Sequence, residues 1–261
     1  MPELPDLEVF KINIFNRLTS KRLEGFDVFD ARRVQAVKER ILRDLPNREL
    51  LRIDRIGKEL IFDFGDDQII AAHLMLSGAV SIVPQAEVAT ISSRIFALRF
   101  ERETLVFSDR GGLCTVKYMP QLSRTPDAFA DAFTWEYFLG VVRSKARANV
   151  KAFLIDQSVV KGIGNAYADE ILWHARVSPH SVVGCIPPEA LRELYDAIGI
   201  VLRDAIEQIR RIAPNTITGE ERSFLKVHNR ALKTTATGYA IRVEKIATKT
   251  TYFTDEQVVY S

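Results

Sequence analysis

The hydrophobic pattern changes period once along this chain, and that change restricts the folds open to it. Short runs rich in β-branched and aromatic residues recur at 23–30, 48–56, 59–64, 67–74, 79–83, 94–100, 104–108 and 113–118. Turn residues punctuate them, at Gly57-Lys58, Gly65-Asp66-Asp67 and Gly111-Gly112. Regularly spaced short strands of this kind predict a β-sandwich or barrel. A linker-like stretch, MPQLSRTPDAF, follows, and helical periodicity then dominates from Thr134 to Ile212. Its segments are 134–141, 149–157, 164–176 and a longer helix, 187–211, that begins at Pro187-Pro188-Glu189. From about residue 223 the pattern returns to β, with FLKVH and then YAIRVEKI and TTYFTDEQVVY, which predict a hairpin. Ahead of all this, Leu7, Phe10, Ile12, Ile14, Phe15 and Leu18 make residues 5–19 an amphipathic helix opened by Pro5-Asp6. The expected class is α+β. The expected boundaries are an N-terminal β-sandwich domain with its helix (1–120), a linker (121–133), a helical domain (134–222) and a terminal β-hairpin (223–261).

Composition excludes several functions. No apolar run among the 261 residues is long enough to span a bilayer, so no membrane partner is expected. Residues 1–20 carry acids near the start, unlike a signal peptide. Cys114 and Cys185 are far apart and without CxxC spacing, so neither a disulfide framework nor a thiolate metal site is indicated, and a reducing cytoplasm is the natural compartment. The net charge of +2 is unevenly spread. Arg143, Lys145, Arg147 and Lys151 fall within nine residues that contain no acid, and from residue 208 onward nine Lys or Arg face five Asp or Glu. That bias suits a phosphate-facing surface.

Two motifs carry chemistry. MPELPDLE places Pro2 behind the initiator methionine, with Glu3 beside it. Removal of Met1 leaves Pro2 as a secondary amine, able to attack an electrophilic carbon and collapse to an iminium ion, with Glu3 as proton donor or acceptor. The second motif, QSVVKGIGNAYADEILWHARVSPH (157–180), makes a tight turn at Gly162 and Gly164 and opens a helix at Asn165. A helix N-terminus of that kind is an anion site.

Together these strings resemble the formamidopyrimidine-DNA glycosylase / endonuclease VIII family. The match is densest at residues 2–8, 57–58, 73–78, 151–180 and 224–230. The resemblance implies that Pro2 is the nucleophile attacking C1′ of a damaged nucleoside and Glu3 the carboxylate assisting sugar-ring opening. Lys58, in RIGKEL, is then the lysine on a strand turn that contacts DNA near the lesion. Asn165 is the phosphate-gripping residue of a helix–two-turn–helix motif, and Lys151 a phosphate-binding lysine, with Arg147 beside it in the basic cluster. An imine at C1′ acidifies the 2′ proton and permits β-elimination, or β,δ-elimination, without a metal or other cofactor. The implied function is a base-excision glycosylase with abasic-site lyase activity, acting as a monomer on damaged duplex DNA and also on single-stranded or open structures. The alternative is a DNA protein that binds damaged or abasic sites with weak or no glycosylase activity.

Three departures from the family pattern stand out. Members commonly end in a zinc finger with four cysteines; the corresponding positions here are Thr234, Thr237, Thr254 and Gln257, none a plausible zinc ligand. A zincless finger is expected, held by apolar packing of Tyr239, Ile241, Val243, Ile246, Tyr252 and Phe253, with Lys249 where the family has a phosphate-contacting arginine. The residues that fill the void left by an everted base also differ. Leu76, with Met75 beside it, takes the wedge position in HLMLSG, while Gly112 and Leu113 replace an Arg and a Phe, leaving Arg110 as the nearest guanidinium. Finally, PNTITGEERSFLKVH is shorter than the loop that caps 8-oxoguanine, so oxidised or ring-opened bases and abasic sites are the expected substrates.

Overall fold

A computed structural model describes residues 1–35, 38–121 and 123–261; Leu122, within the expected linker, lies outside the described residues. Its contacts divide the chain into two compact units. The first comprises Met1–Leu122 with Ile209–Glu220, and the second Ser123–Gln208 with Glu221–Ser261.

The first unit opens with α1 (Leu4–Leu18). Pro5 fits its first turn, where no intrahelical N–H partner is required. Glu3 and Asp6 form a reciprocal capping box, in which the Glu3 N–H donates to Asp6 Oδ2 at 2.9 Å. Leu7, Phe10, Ile14 and Leu18 give α1 one buried stripe. The strands are β1 (Leu23–Val28), β2 (Val34–Gln35), β3 (Arg52–Ile56), β4 (Glu59–Asp63), β5 (Ile69–His73), β6 (Gly78–Pro84), β7 (Arg94–Phe100), β8 (Glu103–Asp109) and β9 (Thr115–Tyr118); a short helix, α2 (Lys38–Asp44), falls between β2 and β3. They form two sheets, ordered β1-β7-β8-β6 and β2-β9-β5-β4-β3. All pairings are antiparallel except β2 with β9. Phe62 of β4 meets Phe107 of β8 edge-on at 5.8 Å, so the core lies between the two sheets.

Residues 209–220 cluster with this unit for a visible reason. Asn13 on α1 donates to the carbonyls of Pro214 (2.9 Å) and Thr216 (2.8 Å), and Ile217 packs against the sandwich core. Periodicity alone, which carries the last helical segment through to 211 with no break near 209, does not reveal this.

The second unit contains α3 (Trp135–Ser144), α4 (Val150–Ile155), α5 (Asn165–His174) and most of α6 (Pro188–Ile212), followed by the hairpin β10 (Arg242–Ile246) and β11 (Lys249–Phe253). Thr134 and Asn149 cap α3 and α4 with side-chain oxygens. Two expectations need correction. FLKVH is not a strand: the N–H groups of Lys226, Val227 and His228 all turn onto the Glu170 carboxylate, at 3.0, 2.8 and 2.7 Å, in place of a ladder. Nor do all six expected residues pack the hairpin. Ile246, Tyr252 and Phe253 are buried, but Tyr239 and Val243 are 48% and 54% exposed.

Candidate nucleic-acid interface and amine site

In the first unit Pro2 and Glu3 are both buried at the entrance to α1. The capping box fixes the Glu3 backbone and directs its carboxylate at the helix N-terminus, where the macrodipole favours negative charge. The N-terminal ammonium, here on Met1, pairs with the carboxylate of Glu220. Lys58 sits at the β3–β4 turn, where Gly57 takes φ +61°, a conformation open to glycine at little cost. Arg55 fastens that turn to α1: its Nε donates to Glu8 Oε2 at 2.9 Å and its Nη1 to the Gly57 carbonyl at 3.0 Å. Glu8 stands five residues along the helix from Glu3, an axial rise of about 7.5 Å, so the lysine turn is anchored to the helix that carries the Pro2–Glu3 pair.

The expected void-filling residues lie on two loops of the same unit, joined through Asp109. The Asp109 carboxylate accepts from Ser77 Oγ (2.5 Å) and from the N–H groups of Gly111 (2.8 Å), Leu113 (2.6 Å) and Cys114 (2.7 Å). Burial raises its pKa, but the hydrogen bonds from Ser77, Cys114, Leu113 and Gly111 outweigh this and hold it below the usual carboxylate range. His73 Nδ1 accepts the Met75 N–H at 3.0 Å, which fixes the imidazole tautomer and turns Met75 to φ +55°. Leu76, 65% exposed, therefore projects from a braced loop, with Leu113 and Arg110 exposed on the loop tied to it. Cys114 stays in the core, its thiol pushed up to about 12 by burial.

In the second unit Gln157 stitches the glycine turn. Its amide donates to the Ile155 and Ile163 carbonyls and its oxygen accepts the Gly162 N–H. The turn delivers Asn165 to the start of α5, where its Nδ2 donates to the Thr250 carbonyl at 2.9 Å. Asn165 and the exposed Lys249 are thus brought to one end of the hairpin. Arg147 is exposed on the segment between α3 and α4, and Arg143 is exposed in the last turn of α3.

Lys151 departs from the expectation that it binds phosphate. Its side chain is wholly buried, with Nζ 2.8 Å from Asp169 Oδ1 and donating to Thr251 Oγ1 (2.6 Å) and the Thr250 carbonyl (3.2 Å). The ammonium is engaged inside the unit, and it holds β11 against α4 and α5. Asp169 also accepts the Tyr252 N–H (2.9 Å) and lies 2.7 Å from His228 Nδ1. Its neighbour Glu170 is pushed up by burial, in opposition to the three N–H groups it accepts. Sequence motifs assign neither acid a role. The available signal was their place on a helix whose neighbours Ala168, Ile171 and Leu172 are apolar and buried.

Thr234, Thr237, Thr254 and Gln257 offer hydroxyl and amide groups, which do not suit a zinc ion that takes thiolate or imidazole. Among the described residues no cluster of three or more His, Cys, Asp or Glu is placed to hold a metal, and no helix is long and apolar enough to cross a membrane.

The described chain is α+β, with an N-terminal sandwich, a helical region in which α5 opens at a glycine turn, and a terminal hairpin. The structure superposes on Lactococcus lactis Fpg in complex with abasic-site-containing DNA with a TM-score of 0.86 at 23% identity, over 98% of this chain and 99% of that one. It superposes on MutM in complex with DNA containing carbocyclic 8-oxo-G with a TM-score of 0.85 at 24% identity, over 98% and 100%. Residues 1–116 match the model of the formamidopyrimidine-DNA glycosylase N-terminal domain, and residues 125–214 that of the formamidopyrimidine-DNA glycosylase H2TH domain. A formamidopyrimidine-DNA glycosylase of Acidithiobacillus ferrooxidans is 32% identical over 80% of this chain and 79% of its own length. That of Lactococcus lactis strain IL1403 is 26% identical over 97% of each. The chain belongs to the formamidopyrimidine-DNA glycosylase family.

Proposed function

We propose that this protein is a base-excision-repair DNA glycosylase with abasic-site lyase activity, working through an imine on Pro2. The observation that carries the reading is the Pro2–Glu3 pair at the capped start of α1. Once Met1 is removed, the Pro2 nitrogen attacks C1′, the N-glycosidic bond breaks and the base departs with a proton. Glu3 gives a proton to the sugar-ring oxygen, and ring opening leaves an iminium at C1′. Loss of a 2′ proton then expels the 3′ phosphate, and a second elimination releases the 5′ phosphate. Lys58, on its anchored turn, contacts the DNA backbone near the lesion, while Asn165, Lys249 and Arg147 grip phosphates.

The target base must leave the duplex, which costs a few kcal/mol and least at a damaged pair. Leu76, with Met75 and Leu113, fills the space it vacates. Apolar side chains exclude water there but cannot read the orphaned base, and Arg110 is the guanidinium on that loop that can hydrogen-bond it. The protein therefore discriminates weakly by opposite base and extends to single-stranded or open structures. The short 213–222 loop gives little cap for a purine, which favours oxidised or ring-opened bases and abasic sites over 8-oxoguanine.

Strand-cleavage rates on oligonucleotides carrying a formamidopyrimidine, 8-oxoguanine or an abasic site, opposite each of the four bases, test this reading. Cleavage that varies little with the opposite base is expected. Strong dependence on that base contradicts the wedge argument, and tight binding without cleavage points to a damage-binding protein.

A further inference from the structure

Glu256 is an acid that no part of the proposed chemistry uses, yet its side chain is only 3% exposed. Its carboxylate gathers four donors. Oε2 accepts from Thr237 Oγ1 (2.9 Å), Trp173 Nε1 (3.1 Å) and Thr254 Oγ1 (3.2 Å), and Oε1 from Arg176 Nη1 (3.2 Å). Thr237 precedes β10 and Thr254 follows β11, whereas Trp173 lies in the last turn of α5 and Arg176 just beyond it. One carboxylate thus joins both ends of the hairpin to a helix about eighty residues earlier in the chain.

Gln257 adds a second tie. Its Oε1 accepts the Thr254 N–H, and its Nε2 donates to the Val177 carbonyl, each at 2.9 Å. Three of the four positions that carry cysteines in zinc-bearing relatives therefore belong to this knot; Thr234, which is exposed, does not. Apolar packing is a poor substitute for it, given the exposure of Tyr239 and Val243. Burial raises the Glu256 pKa, but the bonds from Thr237, Trp173, Thr254 and Arg176 prevail and hold the group below the usual carboxylate range, so it is ionised at neutral pH.

The hairpin ladder runs in continuous register from Arg242 opposite Phe253 to Ile246 opposite Lys249. Fixing its open end through Glu256 therefore fixes the turn, where Asn165 and Lys151 both bond the Thr250 carbonyl. We propose that Glu256 is the positioning residue of this finger. Its carboxylate takes the place of a metal and holds Lys249 in register with Asn165, as a paired grip on DNA phosphate. The phosphate half of this inference rests on the DNA-repair reading above; the positioning half does not.

The test uses the full-length protein with Glu256→Gln, which keeps the size but replaces an acceptor oxygen by an NH2 group facing other donors. Thr237→Val, a milder change that removes one donor, guards against simple misfolding. In the DNA-free arm, hydrogen exchange of the Glu244 and Thr251 backbone amides, a directly opposed pair of the ladder, is compared with that of Ile171 and Leu172 inside α5. Glu256→Gln should speed hairpin exchange by at least about tenfold, Thr237→Val by less, with the α5 amides unchanged. In the DNA arm, affinity for a duplex carrying tetrahydrofuran, a stable abasic-site mimic, is measured across a salt series. Glu256→Gln should weaken binding by about tenfold and lower the log–log salt slope by about one, as Lys249→Ala does, and the double variant should be no weaker than Lys249→Ala alone. Wild-type exchange of the hairpin in both variants, or losses that add fully with Lys249→Ala, would overturn the proposal. If the wild type itself fails to bind DNA, the repair reading falls, and the exchange arm still decides what Glu256 does.

Discussion

Replacing Lys151 by Met separates a structural ammonium from a phosphate ligand. Lys151 and Asp169 are both fully buried and 2.8 Å apart, so the substitution keeps the apolar stem and strips the charge from one side of a desolvated pair. Breaking a buried pair in this way costs about 3–5 kcal/mol. Asp169 keeps the Tyr252 N–H and the contact with His228, which places the expected loss at the lower end, about 3 kcal/mol. That is about a hundredfold in the ratio of folded to unfolded second unit. Both tryptophans, Trp135 and Trp173, lie in that unit, so intrinsic fluorescence during urea unfolding reports it directly. Changing Asp169 to Asn as well removes the stranded charge and should recover a large part of the loss. In DNA binding at temperatures where the variant stays folded, the salt slope should match the wild type. A stability loss below about 0.5 kcal/mol, together with a salt slope lower by about one, would refute the argument and return Lys151 to the phosphates.

Further outcomes follow from the first unit. Asp109→Asn leaves two of four donors without an acceptor oxygen and should cost about 2 kcal/mol, read by thermal or urea unfolding. The Asp109 carboxyl titrates lower in the folded chain than when free, so its contribution is complete above about pH 4 and is lost as the pH falls through the lower folded value. An acid-unfolding series should show that loss in the wild type and lack it in Asp109→Asn; equal acid sensitivity of the two would contradict the assignment. Leu76→Ala should slow excision from duplex DNA more than from a single strand, because only the duplex needs a wedge; an equal effect on both would remove Leu76 from that role.

What the sequence disclosed follows the range of the interactions involved. Short β-branched and aromatic runs bounded by turn residues, the helix entrance at Pro5 and the glycine turn before Asn165 are decided within a few residues, and composition and turn chemistry find them. The carboxylates that organise the sites act at a distance. Glu170 meets backbone donors 56–58 residues away, Glu256 reaches back about eighty residues to α5, and Asp109 bonds Ser77 across a gap of 32. The apolar helix neighbours of Glu170 hint at its burial, but nothing local names the partners of any of these acids. Lys151 shows the opposite difficulty: a lysine in a basic, acid-free cluster reads as solvent-facing, and only its partner on the next helix buries it. FLKVH misleads similarly, since its alternation suits a strand while Glu170 supplies the acceptor that a neighbouring strand would have given.

An imine on Pro2 would join protein to DNA covalently, and borohydride captures such a link. The Met1-processed protein, incubated with an abasic-site oligonucleotide and borohydride, should yield a cross-linked species. Trapped before elimination, its mass should equal protein plus DNA less one water and plus two hydrogens, with the attachment mapped to Pro2. Pro2→Gly should lose most of the adduct, and Glu3→Gln should slow base removal from a companion oligonucleotide that carries a formamidopyrimidine. No adduct from a wild type that binds the same DNA tightly would contradict the imine mechanism and leave a protein that recognises damage without cutting it.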